Sequence, residues 1–332
     1  MQVLNEKDYH LIERLVSLSQ RQLKQVMTKF LRKRYKNVIT TKDYIVAVGD
    51  VPIALVAHMD TVFKNPVSVL YYDKDKNVMW SPDGLGADDR AGVFAIIKIL
   101  QDGYRPSVIL TTDEEKGGIG ASKLADKKCP IPGLKYMIEL DRRGIDDCVF
   151  YDCYNEEFIK YVEKFGFKEQ WGSFSDISFL MDRWNICGVN LSVGYMNEHS
   201  VSETLCITHL MNTINKVKIM LEETDIPEFE YIDYTYDYMS AYRGQPGYFK
   251  YSNIYGQHCS KCRQLYSEYE LFPVKGSNDI IKYICPDCIV GNVEWCEYCG
   301  EAFEICNSTT EKICKECSRK LCMETSKSNS NQ

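Results

Sequence analysis

The stretch Pro-Ile-Ala-Leu-Val-Ala-His-Met-Asp at residues 52–60 decides the fold, because it joins an unbroken apolar run to two polar side chains. A run of this kind is typical of a strand that is covered on both faces, as in parallel sheets. Further apolar strands are predicted at 107–111, 136–140 and 189–193, with helical periodicity between them. This alternation predicts an α/β fold, a three-layer sandwich whose mixed central sheet is mostly parallel.

Composition places the chain among ordinary folded proteins. It has 332 residues, 45% hydrophobic and 26% charged, with a formal net charge of -7. These values exclude a mainly disordered chain, a collagen-like chain and a coiled coil. The sequence has no apolar run long enough to cross a bilayer and does not begin like a signal peptide, so we expect a cytoplasmic protein with no membrane partner.

The fifteen cysteines are concentrated late in the chain, where ten of them lie between Cys259 and Cys322. Eight form four Cys-x-x-Cys pairs: Cys259 and Cys262, Cys285 and Cys288, Cys296 and Cys299, Cys314 and Cys317. This spacing predicts two tetrahedral structural zinc sites. Sequential pairing would give tandem zinc ribbons, whereas interleaved pairing would give a cross-brace finger. Sequential pairing is the preferred interpretation.

These patterns divide the chain into four parts. Residues 1–226 are predicted to form the α/β domain, which begins with a helix over 6–36. Residues 227–255 are rich in tyrosine and are expected to be a linker or an arm wrapped on that domain. Residues 256–322 would form the small zinc module, and the polar segment 323–332 a disordered tail.

Five polar clusters stand at the ends of predicted strands, which is where an open parallel sheet binds its ligands. They are residues 58–60, 84–92, 112–115, 139–141 and 197–203. Each has a structural alternative. For example, Ser200 and Glu203 have the spacing of a capping box for a helix over 202–223. Together, two histidines and several carboxylates are the ligand set of a two-metal hydrolase, with zinc preferred and cobalt or manganese as alternatives.

In their order along the chain, these motifs resemble the co-catalytic di-zinc exopeptidases, the superfamily of bacterial aminopeptidases, peptidase T and carboxypeptidase G. The shared pattern is His-x-Asp, Gly-x-Ala-Asp-Asp-Arg-x-Gly, a Glu-Glu pair, an Asp that ends a strand and a late His. The resemblance covers roughly residues 1–226. Larger members carry an inserted domain before the late His, and the short spacing here indicates a compact catalytic domain without it.

The resemblance implies a role for each matching residue. The residues that match metal ligands are His58, Asp88, Glu115, Asp141 and His199. Asp88 matches the residue that bridges both metals, and the bond that follows it is often cis in this family. Glu114 matches the general base, and Asp60 matches the carboxylate that orients the first histidine. Glu139 is the alternative to Asp141, because the two share one face of a strand.

The resulting hypothesis is a metal-dependent hydrolase of peptide or amide bonds, similar to an aminopeptidase, with two catalytic and two structural zinc ions. The alternatives are an N-acyl amino acid deacylase on the same site and a non-catalytic adaptor that binds a protein partner through its zinc fingers. Arg90, Arg142 and Arg143 could bind a substrate carboxylate or form structural ion pairs. Nucleic acid is not an expected partner, because the zinc module has no strongly basic run.

Overall fold

The computed structural model describes residues 4–172, 174–232, 257–262, 265–266, 271–275, 281–289, 293–296 and 302–304. The chain divides into two compact units, Met1–Arg243 and Gly244–Gln332. The linker prediction for 227–255 falls outside the described residues from 233 onward, and so does the predicted tail at 323–332. Among the described residues, no helix combines the length and the apolar character that crossing a membrane requires.

The first unit is built on an eight-stranded sheet, which confirms the predicted α/β class. In chain order its strands are β1 (Val38–Thr40), β2 (Tyr44–Ala47), β3 (Val51–His58), β6 (Pro106–Thr111), β7 (Tyr136–Arg142), β8 (Asp147–Val149), β9 (Lys168–Glu169) and β10 (Cys187–Ser192). Across the sheet the order is β1-β2-β6-β3-β7-β10-β8-β9. The four central strands β6, β3, β7 and β10 are parallel. Strand β2 runs antiparallel to β6 at one side, and β8 runs antiparallel to β10 at the other.

A smaller sheet lies beside the main one in the first unit. Its strands are β4 (Tyr71–Asp73), β5 (Val78–Trp80), β11 (Tyr195–Met196) and β12 (Thr204–Cys206), in the order β11-β12-β5-β4. All its pairs are antiparallel. The turn between β11 and β12 therefore carries residues 197–203, the last of the predicted polar clusters.

Helices cover the main sheet. They are α1 (Glu6–Val16), α2 (Gln20–Arg32), α3 (Ala87–Gln101), α4 (Ile119–Ala125), α5 (Glu156–Glu163), α6 (Asp176–Trp184) and α7 (Ile207–Glu222). Helix α3 packs against α1, α7 and strands β3 and β7, whereas α4 packs on α6. The central strands are almost entirely buried between these groups, as their apolar sequences predict.

Two helix predictions are wrong in their boundaries. The helix predicted over 6–36 is two helices, because Ser19 and Gln22 form a capping box that starts α2. The helix predicted over 202–223 begins only at Ile207, since Thr204–Cys206 pairs with β5 as a strand. Ser200 therefore caps no helix. Its hydroxyl donates to the carbonyl of Asn197 within the turn.

The described part of the second unit is mainly antiparallel. It contains β13 (Gln257–His258) paired with β14 (Leu265–Tyr266), and a second sheet of β15 (Phe272–Lys275), β16 (Ile281–Ile284), β17 (Val293–Trp295) and β18 (Ala302–Glu304). A short helix α8 (Pro286–Ile289) follows β16. A small apolar cluster around Val274 and Ile284 includes Cys259 and Cys285, and Cys288 packs against it.

Candidate metal centre

The parallel arrangement of β6, β3 and β7 explains why distant polar clusters meet. In this register His58 stands beside Thr111, and Val56 stands beside Glu139. The three strands therefore end at one edge of the sheet, and the chain leaves each strand through a polar turn. His58, the Glu114 turn and Asp141 are brought to one place in this way.

Two groups of possible metal donors lie at this edge. One contains His58, Asp88 and Asp141, and the other contains Asp88, Glu115 and His199. In each group the donor atoms all lie within 4.8 Å of one another. The five residues are those that the sequence predicts as metal ligands, and Asp88 is common to both groups.

The two oxygens of Asp88 face different imidazole rings. Oδ1 lies 3.0 Å from Nε2 of His58, and Oδ2 lies 3.2 Å from Nε2 of His199. Nε2 of His58 also lies 3.5 Å from Oδ1 of Asp141, and Nε2 of His199 lies 3.1 Å from Oε2 of Glu115. One carboxylate thus connects the two groups, with an imidazole and a second carboxylate on each side.

The turn into α3 positions Asp88. The peptide bond between Asp88 and Asp89 is cis, as expected from the family resemblance, and neither residue has helical backbone angles. Asp89 is fully buried and belongs to neither donor group. Its carboxylate instead accepts from the backbone N–H of His58 at 3.2 Å and of Gly92 at 2.8 Å. The adjacent aspartates therefore have different structural roles.

Asp60 joins the first histidine to the Glu114 turn. Its carboxylate accepts from the backbone N–H groups of Glu114 and Glu115, each at 3.1 Å, and lies 3.4 Å from Nδ1 of His58. Burial raises the pKa of Asp60, but the His58 ring and the two N–H groups outweigh it and lower the pKa below its ordinary value. Asp60 therefore stays ionised and can hold His58 with Nε2 directed at the donor group.

Glu114 is in neither donor group, although His58, Asp141 and Asp88 of the first group act on the charge of its carboxyl. Burial raises its pKa well above the ordinary value, and Asp176, Asp141 and Asp88 add to the rise. Its neighbour Glu115 enters the second group through Oε2, whereas its buried Oε1 has no hydrogen-bond partner among the described residues. The two adjacent glutamates are thus placed for different tasks.

The histidine pKa values show that the site attracts positive charge. Hydrogen bonds to Asp88 and Glu115 raise the pKa of His199 to about 11. Burial lowers the pKa of His58, but Asp141, Asp60 and Asp88 raise it well above the ordinary value. Each group offers an imidazole nitrogen and carboxylate oxygens, and the second group contains the Glu115 carboxylate, whose buried Oε1 has no partner among the described residues. These donors fit a pair of divalent cations.

The alternative ligand Glu139 is not brought into either group. It is fully buried, and its Oε1 accepts from the backbone N–H of Ile177 at 3.2 Å. Burial and the nearby charges of Asp141 and Asp176 raise its pKa well above the ordinary value. Asp141, two residues further along β7, occupies the place beside His58.

The three arginines near the site are engaged by the protein itself. Arg90 is buried and donates to the backbone carbonyls of Met59 and Leu18, and these contacts favour a structural role over the binding of a substrate carboxylate. Arg142 donates to the carbonyl of Trp171 at 3.1 Å. Arg143 forms an ion pair with Glu198 at 2.8 Å. Arg90 thereby ties the loop between α1 and α2 to the strand end that carries His58.

Several residues that support the site are not predicted as functional residues from the sequence. Glu203 is fully buried and accepts from the backbone N–H groups of Gly86 and Asp88, at the start of α3. Asp141 accepts from the hydroxyls of Ser175 and Tyr195, each at 3.1 Å. In the sequence, the one feature that indicates such a supporting residue is a polar side chain within an apolar strand. Asn190 is an example, because its amide binds the backbone N–H and carbonyl of Asp141.

In the second unit, the first two Cys-x-x-Cys pairs come together. The sulfurs of Cys259, Cys262, Cys285 and Cys288 all lie within 4.8 Å of one another, and those of Cys262 and Cys285 are 3.8 Å apart. A tetrahedral zinc site with Zn–S bonds of about 2.3 Å has sulfurs about 3.8 Å apart, so the four thiols fit zinc. Cys296 is described and buried, whereas Cys299, Cys314 and Cys317 lie outside the described residues.

Backbone donors surround one of these sulfurs. Sγ of Cys259 accepts from the N–H groups of Lys261 and Cys285, each at 3.4 Å. Burial raises the pKa of Cys259, but these donors and that of Cys262 outweigh it and bring the pKa to about 6. Because the thiolate is the form that binds zinc, this environment favours a ligand at neutral pH.

The chain is similar in fold to solved peptidases over about two thirds of its length. A tripeptidase from Staphylococcus aureus matches 67% of this chain and 100% of its own, with a TM-score of 0.53 and 14% identity. A TET aminopeptidase from a Thaumarchaeota archaeon matches 67% and 98%, with a TM-score of 0.53 and 14% identity. Aminopeptidase PepT from Bacillus cereus matches 66% and 98%, with a TM-score of 0.51 and 15% identity. At such identities the likeness establishes the fold. No protein-family model and no curated protein matches the sequence.

Proposed function

We propose that this chain is a metal-dependent hydrolase of peptide or related amide bonds that acts like an aminopeptidase. The observation that carries the proposal is the position of Asp88, whose two oxygens face His58 and His199 in two adjoining donor groups. A single carboxylate shared between two three-residue groups is the arrangement expected of a two-metal site. The fold shared with solved aminopeptidases supports the same proposal.

Five residues would hold two divalent cations, with zinc preferred and cobalt or manganese as alternatives. His58 and Asp141 would bind one cation, Glu115 and His199 the other, and Asp88 both. When bound, such a pair polarises a carbonyl and lowers the pKa of a water molecule toward about 7. The three ligand carboxylates would then be offset by the cations, so the formal charge of -7 overstates how negative the loaded protein is.

Glu114 is the proposed proton carrier. Its carboxyl is coupled to the charges of His58, Asp141 and Asp88 without belonging to either donor group, so it would be able to accept a proton from the attacking water and deliver it to the leaving amine. Asp60 supports this role by holding the Glu114 backbone N–H at 3.1 Å. It also faces Nδ1 of His58, which directs Nε2 to the metal.

The four sulfurs of Cys259, Cys262, Cys285 and Cys288 are proposed to bind a structural zinc ion. Sequential pairing would then give the remaining cysteine pairs, Cys296 with Cys299 and Cys314 with Cys317, a second site. Closed thiolate sites of this kind fold small domains that could not form without metal. A protein partner for this module remains part of the proposal. The free thiols of the first unit, such as Cys153 and Cys187, favour a cytoplasmic location.

Replacing the proton carrier tests the proposed function. The full-length protein loaded with Zn²⁺ is assayed against aminoacyl amides, short peptides and N-acyl amino acids. Glu114→Gln keeps the shape of the side chain but removes the base, so kcat should fall roughly 100- to 10,000-fold while metal affinity is kept. Glu223→Gln, which alters an exposed ion pair with Lys164, is the matched control and should retain full activity.

Each outcome of this assay has a definite meaning. Hydrolysis confined to N-acyl amino acids would replace the aminopeptidase proposal with a deacylase. Undiminished activity in Glu114→Gln would contradict the assignment of the base. A wild-type protein that binds metal at the Asp88 site and hydrolyses none of the compounds would favour the adaptor function instead.

A further inference from the structure

The two imidazoles of the donor groups differ in how far the protein surrounds them. The His58 side chain is 1% exposed and ends a central strand, whereas the His199 side chain is 54% exposed and lies in the turn between β11 and β12. In that turn Asn197 and His199 have positive φ, at 56° and 59°. Residues other than glycine rarely adopt this region, and such strain persists where the surroundings hold the residue in place. A contact that holds the turn is therefore expected.

Glu198, which stands between the two strained residues, makes such a contact. Its Oε1 accepts a hydrogen bond from Nη1 of Arg143 at 2.8 Å, and the two side chains form an ion pair. Arg143 follows Asp141 by two residues, and Glu198 directly precedes His199. The ion pair therefore links the turn that carries a donor of the second group to the strand end that carries a donor of the first.

The backbone around Arg143 is well anchored. The Arg143 carbonyl accepts from the hydroxyl of Ser192 at 2.7 Å, and the next N–H, that of Gly144, donates to the carbonyl of Tyr195 at 3.0 Å. Gly144 has a φ of 103°, and a side chain there would overlap the carboxylate of Asp147, so the turn depends on glycine. The ion pair thus holds the exposed turn against an anchored strand end.

We propose that Arg143 and Glu198 are positioning residues for the second cation, because their ion pair sets the turn that directs Nε2 of His199 at the second donor group. The inference rests on the proposed metal centre, but it does not depend on peptide hydrolysis. Without the pair, the turn is freer to leave its strained conformation, and the imidazole spends less time among the donors. Affinity for the second cation then falls, while the first cation keeps its own imidazole and carboxylates.

The positive charge of Arg143 allows positioning to be separated from simple electrostatics. A cationic side chain near a cation site opposes metal binding, so removal of its charge would by itself strengthen binding. Loss of positioning would weaken binding instead. Arg143→Gln therefore distinguishes the two effects by their sign, whereas Glu198→Gln would weaken binding through either cause.

The test is Arg143→Gln in the full-length protein, with Mn²⁺ as the probe and isothermal titration calorimetry as the measurement. Manganese suits the carboxylate and imidazole donors and not the thiolates of the second unit. The His199→Ala variant identifies the binding event that belongs to the second donor group. We expect Arg143→Gln to weaken that event by about three- to fivefold, the upper part of the range for exposed ion pairs, and not to weaken the other event.

Two further variants serve as controls. Arg143→Lys keeps the charge and a donor for Glu198, so it should bind the second Mn²⁺ within about twofold of the wild type. Lys164→Gln removes the same charge from an exposed ion pair with Glu223 and should leave both binding events unchanged. Unchanged or stronger binding of the second Mn²⁺ in Arg143→Gln would overturn the inference, and so would a wild-type protein that binds no Mn²⁺.

Two further readouts separate the explanations. Melting temperatures in excess chelator should agree between Arg143→Gln and Lys164→Gln, and a much lower value for Arg143→Gln would show that the ion pair serves the fold instead. If the affinity effect appears in a protein that hydrolyses no peptide or amide, the proposed function fails while the positioning role of the ion pair stands.

Discussion

At the scale of single residues, the site depends on carboxylates that are adjacent in sequence but have different structural roles. Asp88 faces two imidazoles, whereas Asp89 binds backbone N–H groups. Glu115 enters a donor group, whereas Glu114 stays outside both. The difference comes from the turns that carry each pair, because adjacent residues leave a turn in different directions. The chemistry of the proposed hydrolase needs both kinds of carboxylate.

Glu203 offers a test of how the bridging residue is held. Both its oxygens accept backbone N–H groups at the start of α3. Glu203→Gln would turn one acceptor into a donor that faces an N–H, and leaving such a buried group unsatisfied costs about 1–3 kcal/mol. We expect a lower free energy of unfolding in denaturant titrations and weaker Mn²⁺ binding at the Asp88 site.

The control for this substitution is Glu222→Gln, because Glu222 binds the exposed hydroxyl of Tyr104 away from the donor groups. It should leave Mn²⁺ affinity unchanged and shift stability by no more than about 0.5 kcal/mol. Equal metal affinity in Glu203→Gln and the wild type would show that Asp88 is held without Glu203.

The donor residues could be predicted from the sequence, but their supports could not. His58 and Asp141 stand in short motifs at strand ends, and Asp88 stands in a glycine-rich motif at the start of α3. In each motif the residue type and its position together indicate a ligand. Glu203 has capping-box spacing with Ser200, yet it caps α3, which precedes it by more than a hundred residues. The spacing of neighbouring residues cannot predict this contact, because it depends on the tertiary arrangement that brings the turn before β12 to the start of α3.

At the scale of secondary structure elements, the close approach of α3 to β7 shapes the site. A side chain at Gly92 would overlap the carbonyl oxygen of Leu140 and the carboxylate of Asp89. Glycine within a helix normally costs about 0.5–1 kcal/mol relative to alanine. Its presence here is explained by this contact, which brings the start of α3 against the residue that precedes Asp141.

Gly92→Ala should therefore destabilise the protein, although alanine has the higher helix propensity and would otherwise stabilise α3. We expect a loss of about 1–3 kcal/mol from the overlap, together with weaker Mn²⁺ binding, since Asp89 and Asp141 must shift. Denaturant titration and calorimetry would measure the two effects. Stability gained in this variant would contradict the tight packing of α3 on β7.

Gly133→Ala is a useful comparison for that variant. Gly133 has a φ of 65° and open space around it, so alanine there costs about 1–2 kcal/mol of backbone strain and touches nothing. It should lower stability without changing Mn²⁺ affinity. The contrast separates a general loss of stability from a specific effect on the donor groups.

The elements themselves were predicted unevenly. The central strands are covered on both faces, so each is an apolar run that the sequence shows directly. The apolar period continues from α1 into α2, so periodicity alone predicts a single helix. The capping box at Ser19 marks the start of the second helix. The sequence prediction includes strand β12 in the helix that becomes α7, because periodicity over three residues does not distinguish a strand from a helix.

At the scale of the whole molecule, the chain carries two kinds of candidate metal-donor group in two separate units. The first unit offers imidazole and carboxylate donors at the edge of a parallel sheet, which suits catalysis. The second offers four thiols at the spacing of a closed tetrahedral site, which suits structure. Both could be predicted from residue types and spacing, because metal ligands are restricted to a few side chains.

The central claim is that Asp88 is shared by two cations, and anomalous X-ray diffraction from crystals of the full-length protein grown with Zn²⁺ tests it most directly. We predict two peaks about 3.5–4 Å apart at the Asp88 carboxylate, one beside His58 and one beside His199. A further peak should lie among the sulfurs of Cys259, Cys262, Cys285 and Cys288. Anomalous density at the sulfurs with none at Asp88 would contradict the account of a two-metal hydrolase.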